Sequence, residues 1–276
     1  MAVALALGAS LAWGLGDFLG GLTSRRLHVL TVLVVQQVFG LAAAAGWLVL
    51  AGEGFPGWEA AGWAAAAGAS GCLGIGALYR GMAVGAMGIV APVSALAAVI
   101  PFGVGVGSGE RPGALQIAGV ALALGGVAIA SREPPERGGG RSAGIGLALL
   151  AALGFGFYFV FAERAAEESV PFAVTTARGV SLVVALVAAL AVGAALRPGR
   201  AHLPVLFAIG ICDVGANILF SVATTHGYLS VVSVLSALYP VVTVALAALV
   251  LHERLGAAQR GGVVVALLGA ALITAG

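Results

Sequence analysis

Residues 131–142 read SREPPERGGGRS, the only run of a dozen residues in this chain without hydrocarbon-like character. The run falls almost at the midpoint of the chain. Five long apolar segments lie on each side. The polar run is therefore expected to join two similarly built halves, residues 1–130 and 143–276, as a linker.

The composition of those halves excludes an ordinary soluble protein. The chain is 61% hydrophobic and 9% charged, against roughly 25% charged in soluble domains. The basic side chains are 13 arginines, with no lysine, and the net charge is only +2. No basic cluster is interleaved with aromatics, so a nucleic-acid partner is not expected. Cys72 and Cys212 sit inside apolar runs, which suits small buried hydrophobes better than a disulfide or a metal site. The sequence carries no HExxH, no GxSxG, no paired His/Asp metal spacing and no phosphate loop. A membrane-embedded enzyme is therefore not expected, and no cofactor is implied.

A bilayer core about 30 Å thick needs around 20 helical residues. Ten apolar segments approach that length: 2–21, 30–50, 63–82, 87–107 and 114–130, then 143–162, 172–194, 203–224, 231–251 and 261–275. Each is expected to be a helix, because lipid leaves the backbone of an isolated strand unpaired. The period-2 alternation of an outer-membrane barrel is absent. The fold class expected is all-α and polytopic, with ten transmembrane helices.

Polar residues inside these segments are the candidates for function. The first segment lacks the basic start of a signal peptide. It carries Gly8, Ala12, Gly16 and Gly20, a spacing that lets another helix approach closely. Trp13 and Asp17, four apart, share a face; Trp13 suits a pocket or an interface. In the second segment Gln36 and Gln37 suit hydrogen bonding between helices. Tyr79 and Arg80 at the end of the third suit a headgroup level, with Tyr79 also a pocket candidate. Pro92 and Pro101 in the fourth and Pro240 in the ninth are hinge candidates or packing features. The aromatic run Phe155, Phe157, Tyr158, Phe159 and Phe161 points around the whole sixth helix, so most of it is expected to face lipid or neighbours.

Arg178 lies about six residues into the seventh segment, where an arginine needs a partner or water. The eighth is the most polar: Asp213 stands near its middle and Asn217 one turn on, with Ser221 and Thr224 continuing the stripe. A carboxylate at a helix centre costs at least about 2.5 kcal/mol. Asp213 is therefore expected to face a cavity or a cation, unless an Asp–Arg or Asp–amide network simply fixes helix packing. Asp17 is a second titratable candidate, Arg178 an anion partner, and Tyr239 a further pocket candidate. His226, at the end of the eighth segment, suits either a pH-responsive group or an interfacial one.

The halves also echo each other at a nearly constant offset. Gly109-Glu110-Arg111-Pro112 is matched by His252-Glu253-Arg254-Leu255, Ser94-Ala95-Leu96 by Ser236-Ala237-Leu238, and Gln37 by Arg178. Five spans per copy is an odd number, so the second copy must enter the membrane from the opposite face. That is the inverted-repeat plan of many secondary transporters, whose substrate site lies near the midplane between copies.

On these residues the chain resembles the drug/metabolite transporter superfamily, specifically its EamA-type members. The resemblance rests on the ten-span layout, Trp13-Gly14 in the first helix and the paired Gly-Glu-Arg-Pro and His-Glu-Arg-Leu turns after proline-containing spans. It implies a central cavity moving small metabolites, often amino acids or their analogues, by alternating access. The partners expected are a small-molecule substrate, the lipid bilayer and a coupling proton; a channel or a non-transporting scaffold is the alternative. Ten of the 13 arginines fall on the linker's side of the expected spans, which by the positive-inside rule puts both termini outside. The resemblance implies cytoplasmic termini instead. The abundance of alanine and glycine without lysine suggests a bacterial cytoplasmic membrane.

Overall fold

The computed structural model of the protein describes residues 1–85, 87–130, 141–251 and 256–275. Linker residues 131–140 and the turn His252-Glu253-Arg254-Leu255 lie outside them. Among the described residues no strand forms.

Over those residues twelve α-helices follow in order: α1 (Ala2–Ser24), α2 (Val29–Ala51), α3 (Trp58–Val84), α4 (Met87–Ser94), α5 (Val99–Gly107), α6 (Ala114–Ala130), α7 (Arg141–Ala166), α8 (Val170–Ala191), α9 (Leu203–Thr224), α10 (Leu229–Ser236), α11 (Tyr239–Val250) and α12 (Ala257–Ala275). Among the described residues seven stretches are long and apolar enough to cross a membrane: α1, α2, α3, Gly144–Ala166, α8, Arg200–Thr224, and Leu229–Val250, which runs through α10 and α11. Three shorter apolar helices, Ala95–Gly107, Ala114–Gly126 and Arg260–Ile273, stand where the fourth, fifth and tenth spans are expected. The fourth and the ninth are each interrupted.

Both interruptions occur at the Ser-Ala-Leu triplet that the two halves share. α4 ends at Ser94 and the chain tightens into a 3₁₀ turn, Ala95–Ala98, before α5. α10 ends at Ser236 and α11 starts at Tyr239. Proline follows each break. Pro101 cannot donate to the carbonyl of Ala97, nor Pro240 to that of Ser236, so both prolines disfavour a continuous helical ladder at that point. Pro92 lies within α4, its side chain outside the described set.

The halves interlock rather than sit side by side. α1 packs on α9 and α3 on α7; α2 crosses α8, and α6 crosses α12. α4 lies against α11 while α5 lies against α10, so the two broken helices run antiparallel. Small residues permit these crossings. A Cβ at Gly154 would lie 2.7 Å from the Cα of Gly74, and one at Gly119 2.7 Å from the carbonyl oxygen of Gly269. Of the glycine stripe in α1, Gly8 and Gly16 face α9, while Gly20 meets the Tyr79 ring. Hydroxyls cross-link helices by donating to backbone carbonyls: Thr243 to Gly14 at 3.1 Å and Ser181 to Gly68 at 2.7 Å. Large apolar side chains such as Leu50, Leu190 and Leu249 point outward, as a lipid-facing surface requires.

Candidate functional site

The polar stripe of α9 points inward, and three other helices supply it with partners. Asp213 is buried and forms an ion pair with Arg178 of α8. It also accepts from the indole Nε1 of Trp13 at 3.2 Å and from the amide Nδ2 of Asn217 at 3.1 Å. Arg178 Nη1 donates in addition to Gln37 Oε1 of α2 at 2.8 Å. The Asn217 amide nitrogen donates to the backbone carbonyl of Asp213, and its side-chain oxygen accepts from the Tyr158 hydroxyl of α7. Arg178 and Gln37 meet because α2 and α8, equivalent helices of the two halves, cross each other.

This network forms one wall of a cavity lined by residues of α1, α2, α3, α7, α8, α9 and α11. Asp17, Gly71, Ile75, Phe155, Phe159 and Tyr239 complete the lining. Trp13 stands edge-on to Tyr158, their centroids 6.3 Å apart, and tilts against Phe159 at 5.7 Å. The Tyr239 hydroxyl shares a hydrogen bond with Ser94 Oγ, tying α11 to the end of α4. The chamber thus holds two carboxylates and one guanidinium inside an aromatic cage. Asp213 is held by three side chains. Asp17 is only 4% exposed, and among the described residues it receives no hydrogen bond and joins no ion pair.

Of the candidates read from the sequence, the structure brings Trp13, Asp17, Gln37, Arg178, Asp213, Asn217 and Tyr239 to this one cavity. Tyr79 is placed elsewhere. It is fully buried behind α1, its hydroxyl 3.5 Å from the carbonyl of Gly16, rather than at a headgroup level. Gln36 is buried with neither amide atom hydrogen-bonded. His226 stays at an exposed helix end, bonded to Val222 and Thr225. Cys72 and Cys212 are free thiols. Phe155, Tyr158 and Phe159 belong to the lining although consecutive aromatics mark no preferred face, while Phe157 and Phe161 stack on each other outside it. Glu110 has a role that the turn motif does not suggest. Its two carboxylate oxygens accept the backbone N–H groups of Leu229 at 2.7 Å and Ser230 at 3.0 Å, capping α10 of the other half.

Among the described residues no group of three or more His, Cys, Asp or Glu converges as a metal site would require. A model of the EamA-like transporter family matches residues 1–132 and again residues 142–275. One protein of known crystal structure superposes over 99% of this chain and 96% of its own with a TM-score of 0.76 at 18% identity, a likeness of fold. No curated protein matches the sequence.

Proposed function

The chain belongs to the EamA-like transporter family, and on that footing we propose that it is a secondary transporter moving a small amino acid-like or drug-like solute by alternating access. In this reading each half is a five-helix repeat, 1–130 and 143–276, joined by the 131–142 linker and threaded oppositely. The fourth, fifth and tenth segments complete ten crossings. The helix pairings support a two-fold relation, because exchanging the halves turns α1 on α9 into α7 on α3 and maps α2 on α8 and α6 on α12 onto themselves, and the antiparallel run of the equivalent broken helices supports the inversion.

The observation that carries the proposal is the buried, charged chamber built by both halves at their junction. Burying a carboxylate and a guanidinium there without a task is costly, since a buried ion pair rarely repays its desolvation. The breaks before Pro101 and Pro240 provide hinge points beside the chamber, one linked to it through Ser94 and Tyr239. The home of the protein is then the bacterial cytoplasmic membrane, with a proton as the coupling ion.

Purified protein in proteoliposomes, offered a labelled metabolite panel with and without a pH gradient, tests this. Saturable uptake with counterflow is expected, enhanced by the gradient and abolished by Asp213→Asn in protein that still folds. Unsaturable flux would favour a channel, no flux a scaffold, and full transport by the variant would remove Asp213 from the mechanism.

A further inference from the structure

We infer that the chamber selects an organic cation, its ammonium group received by Asp17 and its apolar body by the surrounding aromatic rings. The inference rests on the transport reading above and narrows its substrate class.

The charges of the chamber do not balance. Asp213 and Arg178 neutralise each other, and among the described residues no other arginine or histidine lines the cavity. Asp17 is left as a buried carboxylate facing empty space without a donor or counter-charge. An uncompensated buried charge is strongly disfavoured, and a monocation brings the chamber to neutrality. A zwitterion would leave one negative charge and an anion two. The rings of Phe155, Phe159, Tyr158 and Tyr239 line the space, and aromatic rings offer their faces to a cation as well as an apolar surface.

A second cavity points the same way. It is lined by Glu59, Glu167, Glu168 and Arg164 together with Trp63 and Phe161, and its empty volume is about 1070 Å³. α3 and α7 border both cavities, with Gly71 in the chamber wall and Trp63 in the acidic one. At the helical rise those two residues stand about 12 Å apart along α3. A net-acidic pocket of this kind concentrates cations at the Trp63 end of α3.

Three compounds sharing one apolar body decide the matter: phenethylamine, phenylalanine and 3-phenylpropionate. Calorimetric titration of the detergent-purified full chain should show the amine binding about tenfold or more tighter than the zwitterion, with the anion not competing. Asp17→Asn should weaken amine binding about tenfold or more, and Asp17→Glu should keep it within about threefold. Glu167→Gln with Glu168→Gln should slow amine uptake at low salt and leave its equilibrium binding unchanged.

Equal or better binding of phenylalanine or the anion overturns the inference. So does binding of none of the three, or an Asp17→Asn protein that binds the amine as the parent does. Should Asp17→Asn fail to fold, the ligand ranking on the parent protein still decides. Amine binding without accumulation in vesicles would sink the transport reading and leave the cation site; accumulation of phenylalanine in preference would do the reverse.

Discussion

Where the second half carries Arg178, Asp213 and Asn217, the first carries Gln37, Cys72 and Gly76, every pair separated by the same stretch of chain. Where the second carries Tyr158, the first carries Asp17, again at that separation. In α9 the substitution yields a carboxylate with three side-chain partners. In α3 the equivalent Cys72 merely donates its thiol to the carbonyl of Ser181 at 3.3 Å, and Gly76 leaves room for Leu33. Small and apolar residues recur in both halves and fix the crossings, whereas charge is concentrated in one. The comparison teaches that the architecture needs both copies but the ion pair needs only one, because equivalent helices meet at the centre and one polar member serves both.

The sharpest way to break this comparison is to remove the shared cation. Arg178→Ala leaves Asp213 buried without its partner and should cost about 3–5 kcal/mol, seen as a large drop in the thermal unfolding midpoint in detergent. Replacing Arg178 by Met and Asp213 by Leu together should recover most of that stability while abolishing transport. A subtler version moves the charge across the crossing: Gln37→Arg with Arg178→Gln should fold better than Arg178→Gln alone, since α2 packs on α9 as α8 does. Equal instability of the two would show that Asp213 can be served from α8 only.

Next in size are the equivalent crossings of α3 on α7 and α1 on α9. Gly154→Ala drives a methyl group into the backbone of α3. Overpacking of that kind should cost about 2 kcal/mol. Gly16→Ala meets the Cβ of Cys212 at 3.3 Å, with backbone atoms of Ile209 and Asp213 at 3.8 and 3.9 Å. A contact tight by only a few tenths of an ångström should hold the cost under about 1 kcal/mol. Parallel melting curves would rank the two. Glu110→Gln weakens the charged acceptor at the start of α10 and should cost about 1–2 kcal/mol, with faster hydrogen exchange at Leu229 and Ser230. Tyr158→Phe deletes one hydrogen bond to Asn217 and should cost about 1 kcal/mol, with a few-fold change in substrate binding.

The helices are legible in the sequence because hydrophobic length in lipid is nearly a sufficient signal, and the polar stripe of α9 because four-residue spacing shares a face. Seven of the eight binding candidates converge on the chamber for that reason: a polar side chain in mid-span has few other places to go. Tyr79 misleads because a tyrosine near the end of an apolar run suits a headgroup level equally well, and only packing against Gly20 buries it. Phe155, Tyr158 and Phe159 escape because consecutive aromatics carry no periodicity. Of the ten expected spans seven are long and apolar enough among the described residues, and in the fourth the prolines are legible while the short change of helical pitch is invisible to hydropathy. Glu110 sits in a recognised motif, yet its partner lies 119 residues away on another helix, and no local pattern encodes such a distance.

That glutamate has a mechanical consequence. It lies in the loop leaving α5 and grips the first turn of α10, so a tilt of either broken helix would pull on its counterpart. Under the proposed transport reading, that tie would couple the two halves through covalent connectivity and one carboxylate.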